Sequence, residues 1–120
     1  MSDLNRFQKL VAATKKQIQE ISPNDAMHEV GCGAATLLDV RSAEDWEAGH
    51  ARGAKHLQRG EVEVEIEEQV PDPDQRIICY CGGGSRSALV TESLQKMGYR
   101  NVRSMSGGFR AWKAAGLPTD

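Results

Sequence analysis

Short apolar runs alternate with amphipathic segments along this chain, and that alternation restricts its fold more than any other feature. Thr36-Leu37-Leu38-Asp39-Val40 and Arg76-Ile77-Ile78-Cys79-Tyr80 are brief, largely apolar and free of polar alternation, the pattern of strands buried on both faces. Asn101-Val102-Arg103-Ser104-Met105 reads as another strand, with Val102 and Ser104 inward. Ala54-Lys55-His56-Leu57 is a weaker one, and a short extended piece falls around Ile21. Helical patterns lie between these runs. Strands separated by helices build a parallel sheet covered by helices on both faces. Functional groups in such sheets gather at the C-terminal edge of the strands. Asp39 with Arg41, Cys81, and Ser106-Gly107 all fall at such ends.

The helices carry their own punctuation. Leu4, Phe7, Leu10, Val11, Ile18 and Ile21 recur at spacings suited to one amphipathic helix with a polar face of lysines and glutamines. This N-terminal helix, residues 1–20, precedes a domain over 21–120, and is expected to pack on the sheet or mediate self-association. Ser22-Pro23-Asn24-Asp25 joins a cap, a proline at the first helical position and an early acid, opening a helix that ends at Gly31. Ser42-Ala43-Glu44-Asp45 repeats the signature for a short helix stopped by Gly49. The stretch 61–70 reads as a helix through Val62, Ile66 and Val70, although Val62-Glu63-Val64-Glu65-Ile66 also alternates as a strand does. Helices over 87–97 and 109–115 follow, the second after a Gly107-Gly108 turn.

A chain of 120 residues makes one domain, and its net charge of −2 offers no electrostatic reason to bind nucleic acid or an anionic membrane. No apolar run approaches the ~18 residues of a membrane span. Three cysteines, an odd number, do not form a disulfide framework and fit a reducing, cytoplasmic setting. His28 and His56 lack partners at metal-ligand spacing, so no metal is expected.

Chemistry concentrates in Cys81-Gly82-Gly83-Gly84-Ser85-Arg86-Ser87. A strand delivers Cys81, and a helix opens immediately after the glycines. Backbone N–H groups curled around a helix N-terminus form an anion cradle, and the anion best placed here is the thiolate of Cys81 itself. A free thiol titrates near ~8.5, and such surroundings lower that value by ~1–5 units. Glycine lets the backbone curl around the sulfur. Cys81 is therefore the candidate nucleophile, with Gly82, Gly83, Gly84, Ser85, Arg86 and Ser87 as N–H donors. A Walker phosphate loop needs Lys then Ser or Thr after its last glycine, and Ser85-Arg86 does not supply it. Cys79 reads as a buried strand residue and Cys32 as an exposed thiol in no motif.

Leu38-Asp39-Val40-Arg41, the segment 44–54, Cys81 through Ser87, Gly107-Gly108-Phe109-Arg110-Ala111-Trp112 and Ala115-Gly116-Leu117-Pro118 together resemble single-domain rhodanese-like sulfurtransferases. The resemblance spans roughly residues 20–118. It implies a five-stranded parallel sheet flanked by helices, and transfer of sulfane sulfur through a persulfide on Cys81. The implied donor is thiosulfate or a persulfide; the acceptor is cyanide, a thiol or a protein cysteine. No cofactor is implied. Arg86 is expected to tie the loop to an acid, with Asp39 as partner. Ser87 is expected to donate its hydroxyl to the sulfur or to cap the helix. Arg41 and Arg59 are candidates for attracting an anionic donor, and His50 is expected to be structural. Gly82 and Gly83, where the family often has a basic or bulky side chain, predict an open and poorly charged rim. Ala51 stands where the family usually has Ile. Two other functions remain open at this point. A non-enzymatic binding or sulfur-delivery module is one. A cysteine-dependent phosphatase or arsenate reductase is the other, although its loop carries the arginine six residues after the cysteine, and Arg86 is five after Cys81.

Overall fold

The computed structural model describes residues 3–120. Five parallel strands form one sheet in the order β1-β5-β4-β2-β3. They are β1 (Glu20–Ile21), β2 (Thr36–Asp39), β3 (Lys55–His56), β4 (Ile77–Tyr80) and β5 (Val102–Met105). From β2 the chain steps outward to β3, then returns to the other side of β2 to lay down β4 and β5. The direction of winding thus reverses between β2 and β4, the place where the crevice of an open parallel sheet forms. Leu38 lies opposite Cys79 and Asp39 opposite Tyr80 across that seam.

Six α-helices lie among the described residues, α2 to α6 against the sheet and α1 outside α5: α1 (Arg6–Lys15), α2 (Pro23–Gly31), α3 (Ala43–Ala48), α4 (Val62–Gln69), α5 (Ser85–Lys96) and α6 (Gly108–Ala114). The expected caps are in place, with Ser22 Oγ accepting from Asp25 N–H and Ser42 Oγ from Asp45 N–H. Strand pleating divides the apolar side chains between two layers. Ile77 and Cys79 join Val62, Ile66, Val90 and Leu94 under α4 and α5. Ile78 and Tyr80 join Ala26, Phe109 and Trp112 under α2 and α6.

The ambiguous stretch resolves as a helix. Val62 and Ile66, one turn apart, are fully buried, while Val64 between them is 82% exposed. A strand would have put all three on one face. The N-terminal helix departs from its sequence pattern: expected over residues 1–20, it ends at Lys15, so Ile18 lies beyond it and Ile21 belongs to β1. It packs on α5 rather than on the sheet, through Val11 and Thr14, and Leu10 stays exposed.

Candidate active site

β4 ends at Tyr80, and Cys81 follows as the floor of an open cavity of about 260 Å³ lined by Phe7, Gly82, Gly83, Ser85, Arg86 and Arg110. The backbone turns from strand to helix at Gly84, whose φ of 95° and ψ of −5° are left-handed. A Cβ there would also crowd Gly107 N at 3.1 Å. Helix α5 therefore begins at Ser85, capped by backbone geometry without a side-chain bond.

Two backbone donors converge on the sulfur. Gly84 N–H reaches Cys81 Sγ at 3.1 Å and Ser87 N–H reaches it at 3.4 Å. Ser87 Oγ lies 3.5 Å from the sulfur and 2.9 Å from Ser104 Oγ on β5. The Ser87 hydroxyl thus serves the sulfur, not a cap, and Ser87 is fully buried. Burial alone pushes the Cys81 thiol up. The Ser87 hydroxyl and the N–H groups of Ser87, Gly83 and Gly84 outweigh it, and the thiol titrates below its ordinary value. Cys79, two residues earlier, has burial with little to oppose it and is pushed up to about 12. One strand therefore carries two thiols of opposite character, separated by where the ring of donors closes.

Helix α6 pins the loop from the other side. Phe109 N–H donates to Cys81 O at 2.8 Å and Arg110 N–H to Gly82 O at 3.1 Å. This close approach is why Gly107-Gly108 is more than a turn. A Cβ on Gly108, at φ 59°, would overlap the Cys81 carbonyl and lie 2.7 Å from Gly82 C.

Residues 22–115 match the family model of the rhodanese-like domain. The chain belongs to the rhodanese-like domain family. A thiosulfate sulfurtransferase, GlpE from Actinobacillus succinogenes, is 38% identical over 104 residues, covering 84% of this chain and 89% of its own. A Rhodopseudomonas palustris protein of unknown function, described as a possible tyrosine phosphatase, superposes with a TM-score of 0.84 at 29% identity, covering 100% of this chain and 98% of its own. The polysulfide-sulfur transferase homodimer of Wolinella succinogenes gives 0.82 at 28% identity, covering 95% and 86%.

Within this rhodanese-like frame some expected site residues lie elsewhere. Asp39 does not pair with Arg86. Its carboxylate is fully buried and taken by Arg41, whose Nε and Nη2 donate to it at 3.1 and 2.8 Å while Nη2 also donates to Gly49 O. Arg41 follows Asp39 by two residues at the same strand end, so the nearer cation wins. Its guanidinium also lies 4.3 Å from the centre of the Phe109 ring. Arg41 is thus a brace between β2 and α6 rather than a free cation. Arg59 sits on a turn (Arg59–Glu61) and lines neighbouring cavities, one of them shared with Arg86, but not the one holding Cys81. Of the six expected N–H donors, Gly84 and Ser87 bond Sγ, Gly83 helps favour the thiolate, and Gly82, Ser85 and Arg86 do neither.

The rim, expected to be poorly charged, carries two guanidinium groups. Arg86 and Arg110 both line the cavity, and among the described residues neither has an ion-pair partner. Arg110 falls within the Gly107-to-Trp112 motif, but at 29 positions after Cys81 nothing in the sequence marks it as a site residue. The Gly107-Gly108 approach is the one sequence signal that could have placed it near the loop. His50 is structural as expected, stacked on Trp46 at 3.5 Å with Nδ1 2.9 Å from Trp46 O. Ala51, smaller than the family's usual Ile, is fully buried and gives its N–H to the Tyr80 hydroxyl at 3.1 Å.

Proposed function

We propose that this rhodanese-like protein is a sulfurtransferase in which Cys81 carries sulfur as a persulfide. The observation that carries this is the convergence of the Gly84 N–H, Ser87 N–H and Ser87 hydroxyl on one buried sulfur whose thiolate they favour. The thiolate attacks the outer sulfur of the donor. With thiosulfate, the donor S–S bond breaks, sulfite leaves with the bonding pair, and Cys81 holds the transferred sulfur. A thiol or cyanide then attacks that outer sulfur and returns Cys81 as thiolate. Such double displacement gives ping-pong kinetics. The N–H groups of Ser85 and Arg86, at the start of α5, have no intrahelical acceptor and are available to the added, anionic sulfur. Similarity to a thiosulfate sulfurtransferase supports the same chemistry.

Intact mass tests it. Incubation with thiosulfate is expected to add one sulfur atom, which cyanide removes and which Cys81→Ser never acquires. Loading in Cys81→Ser would remove Cys81 from the mechanism. Hydrolysis of an aryl phosphate with no sulfur gained from any donor would replace this function with a phosphatase. Neither activity would leave a binding module.

A further inference from the structure

We infer that helix α1 completes the donor site, with Phe7 as a specificity-determining wall, and that the donor is an organic persulfide bearing carboxylates. This rests on the sulfur-carrier role proposed for Cys81. Phe7 lies outside residues 22–115, which the family model covers. Its placement is built rather than incidental. Asn5 closes a capping box with Gln8, setting where α1 begins. Val11 is buried against α5, and the Thr14 hydroxyl donates to Glu92 at 3.4 Å. Phe7, Val11 and Thr14 share one helical face, by their spacings of four and three. With Thr14 beside Glu92, the same face brings Phe7 to Ser85 and Arg86 at the start of α5, onto the cavity above Cys81. There the ring remains 44% exposed, so it is not part of the core.

The lining has a definite chemistry. Two guanidinium groups and one aromatic ring surround the sulfur, and among the described residues no carboxylate lines the cavity. Arginine binds carboxylates through paired N–H donors, and an aromatic face covers an apolar body. Gly82 leaves the mouth open, with nothing within 4 Å of where its Cβ would lie. Thiosulfate would engage the arginines, yet its few atoms leave most of about 260 Å³ unfilled and give Phe7 nothing to touch. An organic persulfide uses every part. Its outer sulfur meets the Cys81 thiolate, its body lies along Phe7, and its carboxylates pair with Arg86 and Arg110. The step balances: the Cys81 thiolate bonds to the outer sulfur of R–S–SH, the donor S–S bond breaks, and R–S⁻ leaves with the pair.

The test compares glutathione persulfide with thiosulfate as donors to the full chain. The readout is the ratio of their kcat/KM values. Phe7→Ala is expected to lower the ratio by about tenfold, through KM for the organic donor, the scale expected when one apolar wall is removed from a site. Phe7→Tyr keeps the ring and is expected to stay within about twofold of wild type. Arg110→Gln is expected to raise KM for glutathione persulfide. A ratio unmoved by Phe7→Ala, or wild type that loads from thiosulfate but not from glutathione persulfide, would overturn the subsite alone. Wild type that loads from neither would overturn the Cys81 carrier itself, and the subsite with it.

Discussion

Removing the Ser87 hydroxyl separates what holds the sulfur from what holds the fold. That hydroxyl lies 3.5 Å from Cys81 Sγ and 2.9 Å from Ser104 Oγ, and both serines are fully buried. A hydrogen bond to a charged group contributes about 1.5–3 kcal/mol. The long approach to sulfur places this one at the bottom of that range, so Ser87→Ala raises the Cys81 pKa by about one unit. The backbone N–H groups of Gly83, Gly84 and Ser87 remain and keep the shift partial. The expected result is an alkylation profile against pH, measured with iodoacetamide in a Cys32→Ser background, displaced upward by about one unit. Sulfur loading at neutral pH falls by up to about tenfold, following the thiolate fraction.

Stability responds through a different atom. Ser104 Oγ loses its partner, which costs about 1–3 kcal/mol in urea unfolding. Ser87→Ala with Ser104→Ala removes both partners and is expected to recover much of that stability while the thiol pKa stays raised. The pH dependence has a definite sign. Because the folded thiol titrates below its unfolded value, its contribution to stability is complete above about pH 8.5 and disappears as pH falls through the folded pKa. Ser87→Ala narrows that window. An unshifted alkylation profile in Ser87→Ala, or one that returns to wild type in the double variant, would refute the role given to the hydroxyl.

Other substitutions probe the supports of the loop. Gly108→Ala drives a Cβ into the carbonyls of Cys81 and Gly82 at a left-handed φ, and is expected to cost about 2–4 kcal/mol in chemical unfolding and to abolish sulfur loading. Gly82→Ala meets open space, and its melting curve is expected to match wild type within about 0.5 kcal/mol. Asp39→Ala strands Arg41, whose side chain is 10% exposed, and denaturant titration is expected to show a loss of about 3–5 kcal/mol. Timed thiol labelling is expected to modify Cys81 fastest and Cys32 at an ordinary exposed rate. Cys79, buried and titrating near 12, is expected to react only after unfolding.

Much of the fold was legible because its signals are local. Buried-strand runs, serine caps and glycine stops act within a few residues, and they place the elements nearly where the chain folds them. The alternation Val62-Glu63-Val64-Glu65-Ile66 fits two periods equally, so its local pattern could not decide. It became a helix because Val62 and Ile66 fill the layer beneath α4 while Val64 stays in water. The apolar run of α1 misled in the opposite direction. Its stripe is wider than the face α5 can bury, so Phe7 and Leu10 remain outside the core.

The candidate site divides in the same way. Cys81 and its cradle could be read from sequence because strand, cysteine, glycines and helix start are contiguous, and backbone donors need no particular side chains. The partners of Asp39, Arg86 and Arg110 could not be read so. Charged groups pair with whatever the fold brings nearest, and that depends on how β2, α1, α5 and α6 come together around one sheet edge. The sequence by itself determined most of the elements, their parallel arrangement and the position of the thiol. Only the tertiary structure decided that Arg41 is bound to Asp39, that Arg86 and Arg110 line the rim, and that Phe7 reaches the cavity. Periodicity and caps act along the chain, whereas the cavity walls are made by residues far apart in it, and even the neighbouring Asp39 and Arg41 pair where the buried strand end and the Gly49 carbonyl hold them.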